Sequence, residues 1–311
     1  KYCFLISTES SDYFYNQTKF LLYSLRKYGG TLKDSFVYVS VNDAKLDEHR
    51  VKFLEENFGP IQIVNNILYK PKNRFPRGWF RKKMKFNRKY HVFSHFDKSE
   101  EFDKFVYIDT DMLVSDDFSD SLQKHKNASF VANAEFGLNA VIKNYDEFLP
   151  IFFENDINKI NKLKSMWDSK TLSYKNQINS MSQRYTDVPS FQCGFFMVDE
   201  HTLPLLNFTF DYIIKLMNYI ECGKLNLEAW SVEQQALSFL VMDKIDNYEI
   251  LDSLDEGAKE TLYHYYNTIY GKQHYETPLE INHEEYQKTN KLKFMSRIIT
   301  EFHVDYGDVG N

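Results

Sequence analysis

Apolar runs and helical stretches alternate over the first 135 residues, and this alternation limits the possible folds more than any other feature of the chain. Tyr2 to Ser7 is a short apolar run, read as a buried strand. Asp12 to Tyr28 places Phe14, Tyr15, Thr18, Leu21, Leu22 and Leu25 at helical spacing, then stops at Gly29-Gly30. Ser35 to Val41 is β-branched and aromatic, hence a strand. Asp47 to Phe58 reads as a helix closed by Gly59-Pro60, and Ile61 to Val64 as a third strand. Trp79 to Phe96 reads as a basic amphipathic helix and Lys104 to Ile108 as a fourth strand. Such a β-α-β-α-β rhythm needs crossovers that lay strands side by side in parallel. The expected fold is therefore α/β, with a mostly parallel central sheet flanked by helices.

The rhythm breaks after a short strand at Ser129 to Ala134. Residues 144 to 185 read as helical and polar, Cys193 to Val198 as a strand, and Leu205 to Ile220 and Trp230 to Lys244 as helices. Residues 255 to 290 are rich in Tyr and His without a period, and Lys291 to Phe302 is strand-like at its end. No internal repeat or low-complexity linker separates these parts. The expectation is one domain over 1–311, with a nucleotide-type half (1–135) and a more elaborate half carrying helical insertions (136–311).

Composition excludes several classes. With 38 Lys and Arg against 44 Asp and Glu the net charge is −6, a poor balance for a general nucleic-acid binder. A hydrophobic content of 43% supplies a full core and excludes wholesale disorder. No apolar run approaches the ~20 residues that span a bilayer. The aromatic content of 17% accompanies abundant Lys, Asn and Ile, all with A/T-rich codons, so it implies no stacking role by itself. Cys3, Cys193 and Cys222 are too scattered for a disulfide framework or a metal knuckle, which favours a reducing, cytoplasmic setting. Membrane association would have to reside in segments outside this chain. Glycosylation sequons at Asn16, Asn127 and Asn207 are no more than an Asn-rich chain offers by chance.

The informative stretch is Tyr107-Ile108-Asp109-Thr110-Asp111-Met112-Leu113-Val114. A D-x-D alone says little, but this one follows an apolar strand of a parallel sheet, where ligands of open α/β sheets bind. In extended backbone, Asp109 and Asp111 would point to the same side and present two carboxylates to one point. Carboxylates that close repel each other, and a divalent cation removes the penalty. Hard oxygen ligands suit Mn²⁺ or Mg²⁺, which keep waters and complete their shell with substrate phosphates. The bland reading is a solvated acidic turn. Asp116, Asp117 and Asp120 nearby read as a helix cap and first-turn charges.

An apolar strand ending in this Asp109-Thr110-Asp111 motif about a hundred residues in resembles the metal-binding motif of A-type-fold glycosyltransferases, in the style of glycogenin and the bacterial galactosyl- and glucosyltransferases. The resemblance implies a Rossmann-like single domain and a nucleotide-diphosphate-sugar donor, a UDP-sugar first. It implies a Mn²⁺ or Mg²⁺ ion on Asp109 and Asp111, and a glycan, lipid or protein acceptor. It makes 1–135 the donor half and 136–311 the acceptor half. Ser190 to Val198 is similar to the family's strand beside the donor sugar, with Gln192 where Asn is common and Gly194 allowing close backbone approach. Trp230 to Ala236 is similar to its helix start near the reacting sugar, with Glu233 in place of Asp; helix capping is the structural alternative there. A His before a Gly near the family's chain end is often the third metal ligand. His303 fits that place and His264 competes. By the same resemblance, Ser7, Thr8 and Glu9 would hold the nucleoside and Lys85 and Arg88 on the basic helix would face the phosphates, while the ring of Tyr13 or Phe14 has two readings, stacking on the base or joining the core.

An inverting reaction would need Glu233 as the base for the acceptor hydroxyl, whereas a retaining one would use Gln192 or Glu233 only to steady the cationic sugar. Two other enzymes and one non-enzyme stay in view. A haloacid-dehalogenase-like phosphatase carries its D-x-D on the first strand, not the fourth. A sugar nucleotidyltransferase has a Gly-rich loop where this chain has Ser7-Thr8-Glu9-Ser10. A sugar- or calcium-binding module would not need the motif intact.

Overall fold

The computed structural model describes residues 1–65, 96, 101–135, 145–161, 164–165, 190–222, 232–251, 262–264 and 290–307. The basic helix expected over 79–96 lies outside these apart from Phe96, as do Lys85, Arg88 and all of 166–185 and 265–289. The described strands are β1 (Tyr2–Thr8), β2 (Phe36–Val41), β3 (Ile61–Asn65), β4 (Lys104–Ile108), β5 (Met112–Val114), β6 (Phe130–Glu135), β7 (Ser190–Asp199), β8 (Tyr248–Leu251) and β9 (Leu262–His264). The α-helices are α1 (Asp12–Tyr28), α2 (Glu48–Phe58), α3 (Ser119–Lys124), α4 (Tyr145–Phe152), α5 (Thr209–Glu221), α6 (Val232–Lys244) and α7 (Asn290–Tyr306). Seven strands belong to one mixed, mostly parallel sheet flanked by helices, so the fold is α/β. The chain forms two compact units, one of 1–72, 98–126 and 253–311, the other of 73–97 and 127–252.

The first unit holds strands in the order β3-β2-β1-β4, all parallel. Successive strands step outward from β1 to β3, and β4 then returns to the other side of β1. Placement thus reverses between β1 and β4. Helix α1 forms because Tyr15, Leu21, Leu22 and Leu25 recur at helical spacing and are buried, while Asp12 opens it and Arg26 and Lys27 close it in agreement with the helix dipole. It stops where Gly29 N–H bonds Leu25 C=O at 2.9 Å and Gly30 takes φ +53°. A Cβ on Gly30 would lie 2.3 Å from the Asp117 carboxylate, which itself accepts from the Thr31 N–H at 2.8 Å. The Asp47 side chain caps α2 by accepting from Arg50 N–H at 2.9 Å.

Residues 291–302 depart from expectation. They form the body of α7, not a strand. Met295, Ile298, Ile299 and Phe302 are all buried, and their i, i+3, i+4, i+7 spacing makes one helical stripe. Phe302 packs edge-on against Phe20 at 5.4 Å and Tyr23 at 5.5 Å, and Tyr306 against Phe53 at 5.8 Å. Each such buried ring contributes roughly 1.5–3 kcal/mol. The pull of that aromatic surface outweighs the strand propensity of the β-branched Ile298-Ile299-Thr300. The pairing of β9 with β5 and the strand β8 were likewise not anticipated.

In the second unit β6 runs antiparallel to β7, with a register shift between Ala132 and Ala134, and parallel to β8. Helix α6 is tied to β7 where Phe191 N–H donates to Ser238 Oγ at 2.9 Å. Leu149, Phe152, Ile213, Leu216, Ala236 and Phe239 are fully buried together, with Phe152 and Phe239 stacked at 4.6 Å.

Candidate functional site

Strand β4 (KFVYI) is buried along most of its length, and its carboxyl end delivers Asp109, Thr110 and Asp111 to the sheet rim. The backbone there is not extended. Met112 N–H donates to Asp109 C=O at 3.1 Å and closes a four-residue turn before β5 begins. The same-side argument for an extended run therefore does not apply. Asp and Thr favour turns because their side chains compete for backbone hydrogen bonds, and the turn folds the two aspartates onto one short arc instead. Both are half-buried. Tyr107 hydroxyl donates to Asp109 Oδ1. Thr110 is buried, and its hydroxyl donates to Gln17 Oε1 on α1 at 2.8 Å. Tyr13 is buried close enough that its phenol is pushed up to about 12, by burial first and by the Asp111 charge second. It stays protonated at neutral pH. Its ring packs edge-to-face on Phe14 at 5.1 Å.

The neighbouring strand ends build a polar rim in the same unit. Ser7 and Ser40 are register partners on β1 and β2 and share a face. Asn42 donates to Ser7 Oγ, accepts from Ser40 Oγ at 2.7 Å, and its N–H bonds Thr8 C=O at 3.0 Å. Asp43 receives Ser10 N–H at 2.7 Å and Ser10 Oγ at 3.0 Å. Thr8 is turned the other way, its hydroxyl 2.9 Å from that of Thr18 on α1. Glu9 is half-buried in the loop between. Sequence reasoning missed Asn42, Asp43, Gln17 and Tyr107. The same strand-end logic that marked Asp109 would have marked Asn42 and Asp43, since they directly follow the buried β2.

The two candidate third ligands fall in different elements. His303 is half-buried on α7, a helix rather than the expected strand end. His264 is the last residue of β9, and its backbone is the register partner of Met112, one residue beyond Asp111. Antiparallel partners have Cα atoms about 4.5–5.5 Å apart. Among the described residues, no three His, Cys, Asp or Glu side chains gather into a group that could hold a metal. The two turn carboxylates nonetheless offer hard oxygen donors, the chemistry that suits Mn²⁺ or Mg²⁺ with waters and phosphate completing the shell.

In the second unit, Gly194 is buried within β7, Gln192 lies on the same strand, and Glu233 is half-buried in the first turn of α6. An open cavity of about 430 Å³ in the first unit is lined by Tyr2, Leu32, Phe36 and Gln123 at the amino ends of β1 and β2. Ligands of open α/β sheets occupy the opposite, carboxyl rim.

No protein-family model matches the sequence, and no curated protein matches it. Similar solved structures include the glycosyltransferase GlyE of Streptococcus pneumoniae, with 12% identity and a TM-score of 0.45, covering 97% of this chain and 63% of that one. Core-mannan synthase A of Aspergillus fumigatus in an Mn/GDP form has 11% identity and a TM-score of 0.45, covering 80% and 72%. The galactosyltransferase LgtC, in complex with donor and acceptor sugar analogues, has 11% identity and a TM-score of 0.44, covering 92% and 99%. The chain thus spans less than two thirds of the length of GlyE. At this level of likeness no substrate, metal or mechanism passes from those proteins to this chain.

Proposed function

We propose that the protein is a metal-dependent glycosyltransferase that moves a sugar from a nucleotide-diphosphate donor, a UDP-sugar first, to an acceptor hydroxyl on a glycan, lipid or protein. One observation carries the reading. Asp109 and Asp111 stand after β4, beside the end of β1, at the place where strand placement reverses. A crevice opens at such a reversal, and this is where doubly wound sheets bind nucleotides.

Asp109 and Asp111 would hold Mn²⁺ or Mg²⁺, which would supply charge neutralisation for the departing diphosphate. Between the two histidines we favour His264 as a further ligand over His303, because its backbone pairs beside the motif. Ser7, Asn42 and Asp43 at the rim offer hydroxyl, amide and carboxylate groups suited to a ribose and a pyrimidine edge. By the family resemblance, Glu233 would take the acceptor proton in an inverting reaction, and Gln192 or Glu233 would steady the cationic sugar in a retaining one.

Donor hydrolysis tests the reading. The protein with Mn²⁺ and a panel of UDP- and GDP-sugars should release nucleoside diphosphate slowly, and release should stop in EDTA. No release, together with no thermal shift from any nucleotide plus Mn²⁺, would point to a binding module instead.

A further inference from the structure

Helix α1 grips the motif turn through buried polar bonds. Gln17 is 1% exposed and accepts from the Thr110 hydroxyl at 2.8 Å. One turn earlier on α1, Tyr13 hydrogen-bonds Gln17 and feels the charge of Asp111. Two turns later, Ser24 Oγ accepts from Val114 N–H at 3.0 Å, just past the turn in β5. Tyr13, Gln17 and Ser24 stand at i, i+4 and i+11, within about 40° of one another around the helix. A polar seam therefore runs along the face of α1 that meets residues 110, 111 and 114. A leucine at position 17 would extend the apolar stripe of the helix and bury no amide. A buried amide is tolerated only where its hydrogen bonds are made, and Gln17 Oε1 makes one of them with the residue between the two aspartates.

We infer that Gln17 is a positioning residue for the carboxylate pair: its amide fixes Thr110, and through Thr110 the turn that carries Asp109 and Asp111. Both aspartates are then set before cation and diphosphate arrive, which spares the binding step the loss of turn freedom. This rests on the proposed function, because the pair needs accurate placement only if it receives a cation. Outer partners that orient metal ligands are worth about 10–100-fold in metal affinity.

The test compares the whole chain with Gln17→Leu, Thr110→Val and the double variant. Manganese affinity in the presence of UDP is measured by titration calorimetry, and the thermal midpoint is measured beside it. Gln17→Leu strands the Thr110 hydroxyl and should lower the midpoint. The double variant removes both partners of the Thr110–Gln17 bond and should recover part of that loss, the bond from Gln17 to Tyr13 staying broken. Manganese affinity should fall about tenfold in each single variant and by the same factor, not its square, in the double. Affinity that follows the thermal midpoint, losses that multiply in the double variant, or unchanged affinity in folded variants would overturn the role of Gln17 while wild-type binding still supported the proposed function. A wild-type protein that binds neither Mn²⁺ nor UDP would overturn both.

Discussion

Asp111 sits in a tight turn, half-buried and beside the buried Tyr13 phenol. Its exchange for Asn keeps the shape and removes the charge. Asp111→Asn should keep the circular dichroism spectrum and thermal midpoint close to wild type while lowering manganese-dependent donor hydrolysis about 10²–10³-fold. A variant of full activity, insensitive to EDTA, would reject the metal assignment. At this scale the position of the two aspartates after a buried strand was legible, because the apolar run of β4 marks where that strand stops. Gln17 was not. A buried amide on a helix face leaves no mark in hydrophobic periodicity, since the pattern records where apolar residues are and not which polar residue they enclose. The place of His264 beside Met112 was not legible for a related reason: it arises from a pairing between residues about 150 apart, which local pattern does not encode.

Among the elements, the end of α1 depends on one side chain. Arg26 donates through Nε and a terminal nitrogen to Phe58 C=O, at 3.0 and 2.9 Å, and reaches Ser35 C=O at 2.8 Å and Pro60 C=O at 3.1 Å, with Lys33 C=O as a further acceptor. It thereby joins α1, the turn before β2, the end of α2 and the start of β3. Burial lowers its pKa to about 10, with Asp34 opposing, so it remains charged at neutral pH. Arg26→Met would take a donor from four carbonyls and should lower the unfolding free energy by about 3 kcal/mol, read from urea denaturation. Elements with a strong period, such as α1, α2 and the β1 to β4 strands, were legible because each carries its own burial pattern. Helix α7 was misread as strand-like because Ile298-Ile299-Thr300 has the chemistry of a strand, and only the rings of Phe20, Tyr23 and Phe53 decide otherwise.

For the molecule as a whole, the charged fastening between α7 and α1 sets a pH dependence. Burial would raise the pKa of Glu301, but hydrogen bonds from Tyr28, Arg297 and Lys27 bring it from 4.5 down to about 2. Lys27 lies 3.1 Å from it, and Arg297 2.9 Å. A carboxyl with a depressed folded pKa adds stability above its unfolded pKa and loses it as protons bind. That contribution should be intact at pH 6 and fade between about pH 4.5 and 2. Urea titrations at pH 6 and pH 3 should therefore show a drop in wild type that is smaller in Glu301→Gln, and equal drops would show that Glu301 has no part in it.

The same fastening bears on how the protein is made. Tyr23 bonds Asp305 across 282 positions of sequence, and Tyr28 bonds Glu301 across 273. Helix α1 leaves the ribosome well ahead of α7, and the rings it presents to Phe302 gain that cover only once α7 is synthesised. At about 5–20 residues per second the wait lasts on the order of 15–60 seconds. Throughout that interval the rings of Phe20 and Tyr23 on α1 and Phe53 on α2 stand without their α7 partners, a sticky aromatic surface of the kind that holding chaperones bind.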